Sequence, residues 1–278
     1  MIIENAARGR ISNAVRYGVE HQSGWRRYAR IALGMLRDRG IRLTIAHART
    51  VAMLRLHRRL FDSRIEARLP KSLPGRIELK GLSLRATTDK EKRAAIHCSS
   101  VPAMTLHWAL QGLAIDHKKY HFVDVGSGWG YALLLAAQYP FRRVTGVEFA
   151  HELYENACAN IDWAHGKNLF KAPLVETRFE SALEMEIPDG PVVLFLFNPF
   201  GEPVMKNFVE RIERSLRLVP RPIVLVYVNP AEHRCLLRPG IMPLAFTGIA
   251  ASLLKWLSPY KVNAYCWGPL LKPKEDES

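Results

Sequence analysis

The stretch His121-Phe-Val-Asp-Val-Gly-Ser-Gly-Trp-Gly-Tyr131 decides how the chain is read. A β-prone run carrying Asp124 gives way to Gly126, Gly128 and Gly130, with Ser127 and Trp129 between them. An apolar run, Tyr131-Ala-Leu-Leu-Leu-Ala-Ala137, follows at once. The order is strand, glycine turn, buried helix, which is the first unit of a nucleotide-type α/β fold. Glycine suits the turn because the backbone must bend tightly and a ligand must approach it with no Cβ in the way. A dinucleotide fingerprint, G-x-G-x-x-G, would put its third glycine at position 131, where the chain has Tyr131. Here the third glycine comes one residue early, in the pattern D-x-G-x-G-x-G.

Outward from this turn, strand and helix patterns alternate. Strands are expected at His121–Val125, Arg143–Glu148, Leu174–Phe179, Val192–Asn198 and Ile223–Val228, with a last one at Lys261–Trp267. Helices are expected at Pro102–Ile115, Gly130–Tyr139, Ala150–Ile161, Pro203–Leu218 and Ala250–Leu257. The run Val192-Val-Leu-Phe-Leu-Phe197 is apolar throughout, as a central parallel strand covered on both faces should be. Alternation of this kind predicts an α/β fold with a doubly wound, mostly parallel sheet.

In such a sheet a ligand sits outside the carboxyl ends of the strands, where the strand order reverses. Polar groups fall at four successive strand ends: Asp124 with the glycine turn, then Glu148, Glu180 and Asn198. Each alone reads equally as a turn or capping residue. The four together point to a site.

The D-x-G-x-G-x-G run resembles motif I of the class I S-adenosylmethionine (SAM)-dependent methyltransferases, over roughly Tyr120 to Tyr227. The resemblance implies a sheet of the seven-stranded type and SAM as cofactor. It implies that Asp124 and the turn Gly126, Ser127, Gly128 and Gly130 hold the methionine part of SAM. Glu148 would hold the ribose, and Glu180-Ser181 would contact the adenine. Glu148 also stands 22 residues after Gly126, about where an acid can accept both ribose hydroxyls. The motif Asn198-Pro199-Phe200-Gly201 is similar to a shortened N-P-P-(Tyr/Phe) motif of amino-directed methyltransferases, which makes Asn198, Pro199 and Phe200 the candidate catalytic residues. The Asn198 amide oxygen and the Pro199 carbonyl would accept hydrogens of an amino group, and Phe200 would offer an aromatic face. A non-SET histone-lysine methyltransferase family also has a G-V-E second strand, here Gly146-Val147-Glu148. Protein lysine therefore stands slightly ahead of a nucleobase as acceptor. The competing reading of Asn198-Pro199 is a plain turn, as at Asn229-Pro230. Two departures stand out. Trp129 and Tyr131 replace residues that are smaller or basic in many relatives, and His97-Cys-Ser-Ser-Val-Pro102 takes the place of an aromatic-x-Pro segment crossing the cofactor.

Bulk properties frame these readings. With 278 residues, 48% hydrophobic and 24% charged, the chain is ordinary for a globular protein. No run is apolar and long enough for a spanning helix, and no secretory pattern opens the chain. Cys98, Cys158, Cys235 and Cys266 are far apart, which argues against a zinc site or disulfide framework and for a reducing cytoplasm. Residues 1–65 hold fourteen arginines and no lysine against Glu4, Glu20, Asp38 and Asp62, a net +10 of the chain's +14. Such a segment suits a polyanion or an anionic membrane surface, or is simply a solvated helical face with arginine stems over apolar surface. Helices are expected there at Trp25–Arg39 and Leu43–Phe61, a linker at Leu69–Gly75 and a short strand at Ile77–Leu84. The expected organisation is a basic helical extension over 1–70, a SAM-binding domain over 76–270 and a disordered tail over 271–278. The leading functional expectation is N-directed methylation of a protein or nucleic-acid acceptor. The alternatives are a non-catalytic protein of the same fold binding RNA or membrane through its arginines, and a nicotinamide-dependent oxidoreductase, which Tyr131 disfavours.

Overall fold

The computed structural model describes residues 41–63, 67 and 100–271. The expected helix at Trp25–Arg39, the linker at Leu69–Gly75 and the strand at Ile77–Leu84 lie outside the described residues. Contacts divide the chain into two units, 1–48 and 49–278. Of the first, only the opening turns of a helix are described. The second begins 21 residues before the boundary expected at 70, because residues 49–63 bond to the α/β body, as set out below.

The helices are α1 (Ile41–His57, continued by a π turn at Arg58–Asp62), α2 (Ala103–Gly112), α3 (Tyr131–Ala136), α4 (His151–Gly166), α5 (Glu202–Leu218) and α6 (Gly248–Leu257). The strands are β1 (His121–Val125), β2 (Arg143–Glu148), β3 (Val175–Phe179), β4 (Val192–Phe197), β5 (Ile223–Val228), β6 (Met242–Leu244) and β7 (Val262–Trp267). Among the described residues all seven strands join one sheet in the order β3-β2-β1-β4-β5-β7-β6. The pairs from β3 through β5 are parallel, and β7 runs antiparallel to both β5 and β6. The expectation of an α/β, mostly parallel, seven-stranded sheet is met.

The central strands β1, β4 and β5 are buried on both faces because they alternate two apolar sets. Phe122 of β1, Phe195 of β4 and Val224 and Val226 of β5 pack with Leu106 and Leu110 of α2, Leu133 of α3 and Leu254 of α6. Val123, Leu194, Leu196 and Leu225 face the other way, onto Val204, Phe208 and Ile212 of α5. The chain winds outward from β1 through β2 to β3, then returns to β4 on the other side of β1. The order therefore reverses between β1 and β4, and their carboxyl ends lie side by side, with Val125 paired to Leu196. This reversal creates the crevice that a ligand of such a sheet uses.

Residues 49–62 are fastened by four polar bonds. Asp62 Oδ1 accepts from the Ala103 N–H at 2.9 Å, capping the first turn of α2, and from the Tyr131 hydroxyl at 3.2 Å. His57 Nε2 donates to the Leu257 carbonyl at 3.0 Å and Arg49 to the Trp256 carbonyl at 2.8 Å, so both satisfy the open end of α6. At the other end, Leu271 is no loose tail. Its N–H donates to the Tyr120 hydroxyl and its carbonyl accepts from Asp116, both at 2.9 Å.

Candidate functional site

The glycine turn leaves β1 and folds back against β2. The N–H groups of Gly126 and Ser127 both donate to the Val147 carbonyl, at 2.9 and 3.0 Å. Gly126, Gly128 and Gly130 take φ of +81°, +56° and +85°, conformations closed to ordinary side chains. Gly126 is also crowded, since a Cβ there would lie 2.9 Å from Cβ of Pro199. The turn after β1 and the Asn198-Pro199 turn after β4 are thus in van der Waals contact. Gly146 of β2 has a matching purpose, because a Cβ on it would meet Ser127 Oγ at 2.8 Å. Ser127 Oγ is buried with no hydrogen-bond partner among the described residues.

Two carboxyl groups lie beneath this turn, each 3% exposed. Glu148 Oε2 accepts the Gly128 N–H at 2.7 Å, while Oε1 accepts those of Phe149 at 3.0 Å and Ala150 at 2.8 Å. Burial pushes the Glu148 carboxyl up to about 7, with the three N–H groups pulling the other way. Asp124 is pushed up to about 8, mainly by burial and further by Glu148. Glu148 was expected to accept both ribose hydroxyls. As it stands, its carboxylate holds the turn and the start of α4 in place, with three of about four acceptor sites filled.

A cavity of about 30 Å³ lies beside Asp124, lined by Ser100, Val101, Ser127, Trp129, Phe195 and Phe197. It has room for little more than a water molecule. Trp129, 2% exposed, packs on Tyr131 with ring centroids 5.0 Å apart, and its carbonyl is held by the Asn160 amide at 2.9 Å. Ser100 and Val101 close the other side, so the segment expected to cross the cofactor does wall the cavity. Ser99 lies outside the described residues.

The remaining candidates divide. Asn198 ends β4 with φ +45°, and its Oδ1 accepts from the Tyr227 hydroxyl at 3.2 Å. Asn229 ends β5 in the same conformation, φ +51°, so Asn-Pro does form a turn at both strand ends. Only the first lies against the glycine turn. Glu180 follows β3 and donates its N–H to the Glu148 carbonyl at 3.1 Å, and its carboxylate lies 3.8 Å from Arg178. Phe200 is 6% exposed and packs edge-on against Phe208 of α5 at 5.7 Å, among the core residues on that face of the sheet. An apolar ring two residues past Asn198 meets α5 because the chain has already turned to begin that helix. Phe197, one residue before Asn198, does line the cavity, together with Trp129, Tyr131 and Phe195. Tyr227 was also missed. It sits in an apolar strand that reads as pure core, and only its hydroxyl shows that the core reaches the site.

The arrangement is an α/β fold with a seven-stranded, mostly parallel sheet, of the type the resemblance implied. No family model matches the chain, and no curated protein does. Among solved structures it is similar to an RNA methyltransferase from Salinibacter ruber in complex with S-adenosyl-L-homocysteine, at 18% identity and TM-score 0.37, covering 65% of this chain and 99% of that one. It is similar to a geranyl diphosphate C-methyltransferase from Streptomyces coelicolor at 13% identity and TM-score 0.39, covering 60% and 76%. It is also similar to an rRNA methylase from Streptococcus thermophilus at 12% identity and TM-score 0.37, covering 59% and 95%. At such values the likeness says nothing of this chain's acceptor.

Proposed function

We propose that the chain is a SAM-dependent methyltransferase that modifies an amino nitrogen on a macromolecule. One observation carries the reading: the glycine turn after β1, held by Glu148 of β2, touches the Asn198-Pro199 turn after β4 at the point where the strand order reverses. A cofactor-binding turn and an acceptor-orienting turn would need this adjacency for in-line transfer.

The residues present suit SAM. Three positive-φ glycines leave backbone open to a ligand, and Ser127 Oγ lacks a partner. Asp124 is a buried acid beside the cavity. In this reading Asp124 and Gly126–Gly130 hold the methionine part, Glu148 the ribose and Glu180 the adenine edge. Bound SAM supplies an electrophilic methyl group on a sulfonium. The chain's own part is to align and dry the site. Asn198 Oδ1 has one lone pair engaged by Tyr227 and another free to accept an N–H of the target, which aims the nitrogen lone pair. The Pro199 carbonyl accepts a second N–H, and Phe197 replaces Phe200 as the aromatic wall. A lysine side chain and an exocyclic base amine both meet these requirements, and the arginine-rich N-terminus suits an anionic partner of either kind.

Because the cavity beside Asp124 is small, cofactor entry requires the 100–101 segment or the glycine turn to yield. S-adenosylhomocysteine should raise the melting temperature, as selective binding to the folded state must, and NAD should not. Glu148→Gln, which keeps one oxygen for the Phe149 and Ala150 N–H groups and loses the bond to Gly128, should keep the fold and weaken that shift. Stabilisation by NAD alone would overturn the reading.

A further inference from the structure

A second site lies at the opposite end of the strands. The connection from β3 to β4, residues 180–191, contains turns but no helix. On the face shared with α5, the sheet around β2 and β3 is therefore left without a helical cover. Residues paired across a parallel sheet share a face, and the pairs here are His121 with Arg143, Thr145 with Glu176, and Val147 with Arg178. The exposed corner is thus polar where a covered sheet would be apolar. Packing a helix on it would strip charged groups of water at a large cost.

What occupies the corner is a cleft of about 600 Å³, bounded by His121, Arg142, Arg143, Arg178 and, from α5, Arg211 and Arg214. That volume lies within the range of ligand sites. Glu176 engages Arg143 at 2.6 Å and Arg178 at 2.9 Å and so fixes both guanidinium groups. Glu186 and Asp189 also line the cleft, leaving the arginines in excess. Much donor capacity is unused. The Nε groups of Arg143 and Arg211 are buried with no acceptor, and among the described residues the guanidinium groups of Arg142 and Arg214 make no hydrogen bond or ion pair. His121 donates or accepts at Thr145 Oγ1, 2.8 Å away, and burial with the Arg143 charge pushes its imidazole down to about 4, so it adds no charge of its own. Among the described residues no Phe, Tyr or Trp lines the cleft, so these residues offer no platform on which a base could stack.

We propose that this cleft binds clustered phosphate groups, as carried by an oligophosphate or a nucleic-acid backbone. Forked guanidinium donors match phosphate oxygens, and the absence of a stacking ring makes recognition independent of base identity. The proposal does not depend on SAM chemistry, since the cleft adjoins the amino ends of β1, β2 and β4, away from Asp124, Glu148 and Asn198.

Calorimetric titration of the full chain with inorganic tripolyphosphate, then ATP, then a 12-nucleotide single-stranded RNA tests this directly. Arg142→Ala/Arg214→Ala should weaken tripolyphosphate binding at least tenfold while leaving the melting temperature and the S-adenosylhomocysteine shift unchanged. Arg58→Ala/Arg59→Ala, on the exposed π turn, should leave tripolyphosphate affinity as it was. If RNA is the source of the phosphates, the cleft variant should also lower the salt slope of RNA binding by about one to one and a half. If the source is a small molecule, only tripolyphosphate and ATP will respond. Should the double variant lose stability, Arg214→Lys serves instead, keeping charge without the fork and weakening binding at an unchanged melting temperature. No tripolyphosphate binding by the wild type at millimolar concentration would overturn the proposal. So would equal affinity in the cleft variant, or an equal loss in the Arg58/Arg59 variant.

Discussion

Asp124 and Glu148 are acids whose burial holds protons on them near neutrality. An unfolded chain would release those protons above about pH 4, so between there and about pH 8 the folded state binds more protons than the unfolded one. Stability from these two groups is accordingly present at low pH and lost as pH rises through their folded values. The melting temperature should fall from pH 5 to pH 9, and Asp124→Asn should flatten the fall and raise stability at pH 8. A profile unchanged by Asp124→Asn would contradict the assignment. If the SAM α-ammonium pairs with Asp124, S-adenosylhomocysteine affinity should rise from pH 6 to pH 8 with proton release, seen as a buffer-dependent heat. The two phenylalanines flanking Asn198 separate in the same way. Phe200→Ala removes a core ring and should cost about 3 to 5 kcal/mol of stability. Phe197→Ala should instead raise the acceptor's apparent KM more than it lowers kcat, read from initial rates. If Phe200→Ala left the melting temperature alone and raised KM, its placement in the core would be wrong.

Among the elements, residues 49–62 at the end of α1 and in its π turn bond to the α/β body. Asp62 occupies the cap of α2 and also receives the Tyr131 hydroxyl, so it ties the N-terminal segment to the helix after the glycine turn. Asp62→Ala should lower stability by about 1 to 2 kcal/mol, measured by denaturant unfolding, and should weaken S-adenosylhomocysteine binding through Tyr131. No change in either would make the cap incidental. The repeated strand–helix alternation, the glycine turn and the polar strand ends were legible because each has a local pattern. Three strands, β1, β2 and β5, have the expected ends because apolar runs stop at polar or turn residues. Helix α4 extends past Ile161 to Gly166 because Ala164 continues the buried stripe of Leu153, Ala157 and Ile161. Helix α2 stops at Gly112 because Leu113 turns extended, at φ −75° and ψ 121°. The edge strand β6 was not legible, since three residues centred on Pro243 carry no alternation and a proline is tolerated only at such an edge. The burial of Phe200 depends on where α5 starts relative to β4, and no local pattern records that.

For the whole molecule, the charge distribution and the fold are separable. Residues 1–48 carry nine arginines against Glu4, Glu20 and Asp38. Deleting them should abolish most salt-sensitive heparin binding while the melting temperature changes little, whereas deletion through residue 65 also removes Arg49, His57 and Asp62 and should destabilise the body. Retained heparin affinity after the shorter deletion would make those arginines a solvated face. Methyl transfer depends on the contact between the two turns at the reversal of strand order. Protein incubated with methyl-labelled SAM and a cell lysate, resolved into protein, RNA and DNA fractions, should label one fraction. Asn198→Gly removes the amide yet suits φ +45°, so it should leave S-adenosylhomocysteine affinity largely intact and lower the labelling rate by about 100-fold, or about 3 kcal/mol in the transition state. Labelling of no fraction, or undiminished labelling by Asn198→Gly, would contradict the account.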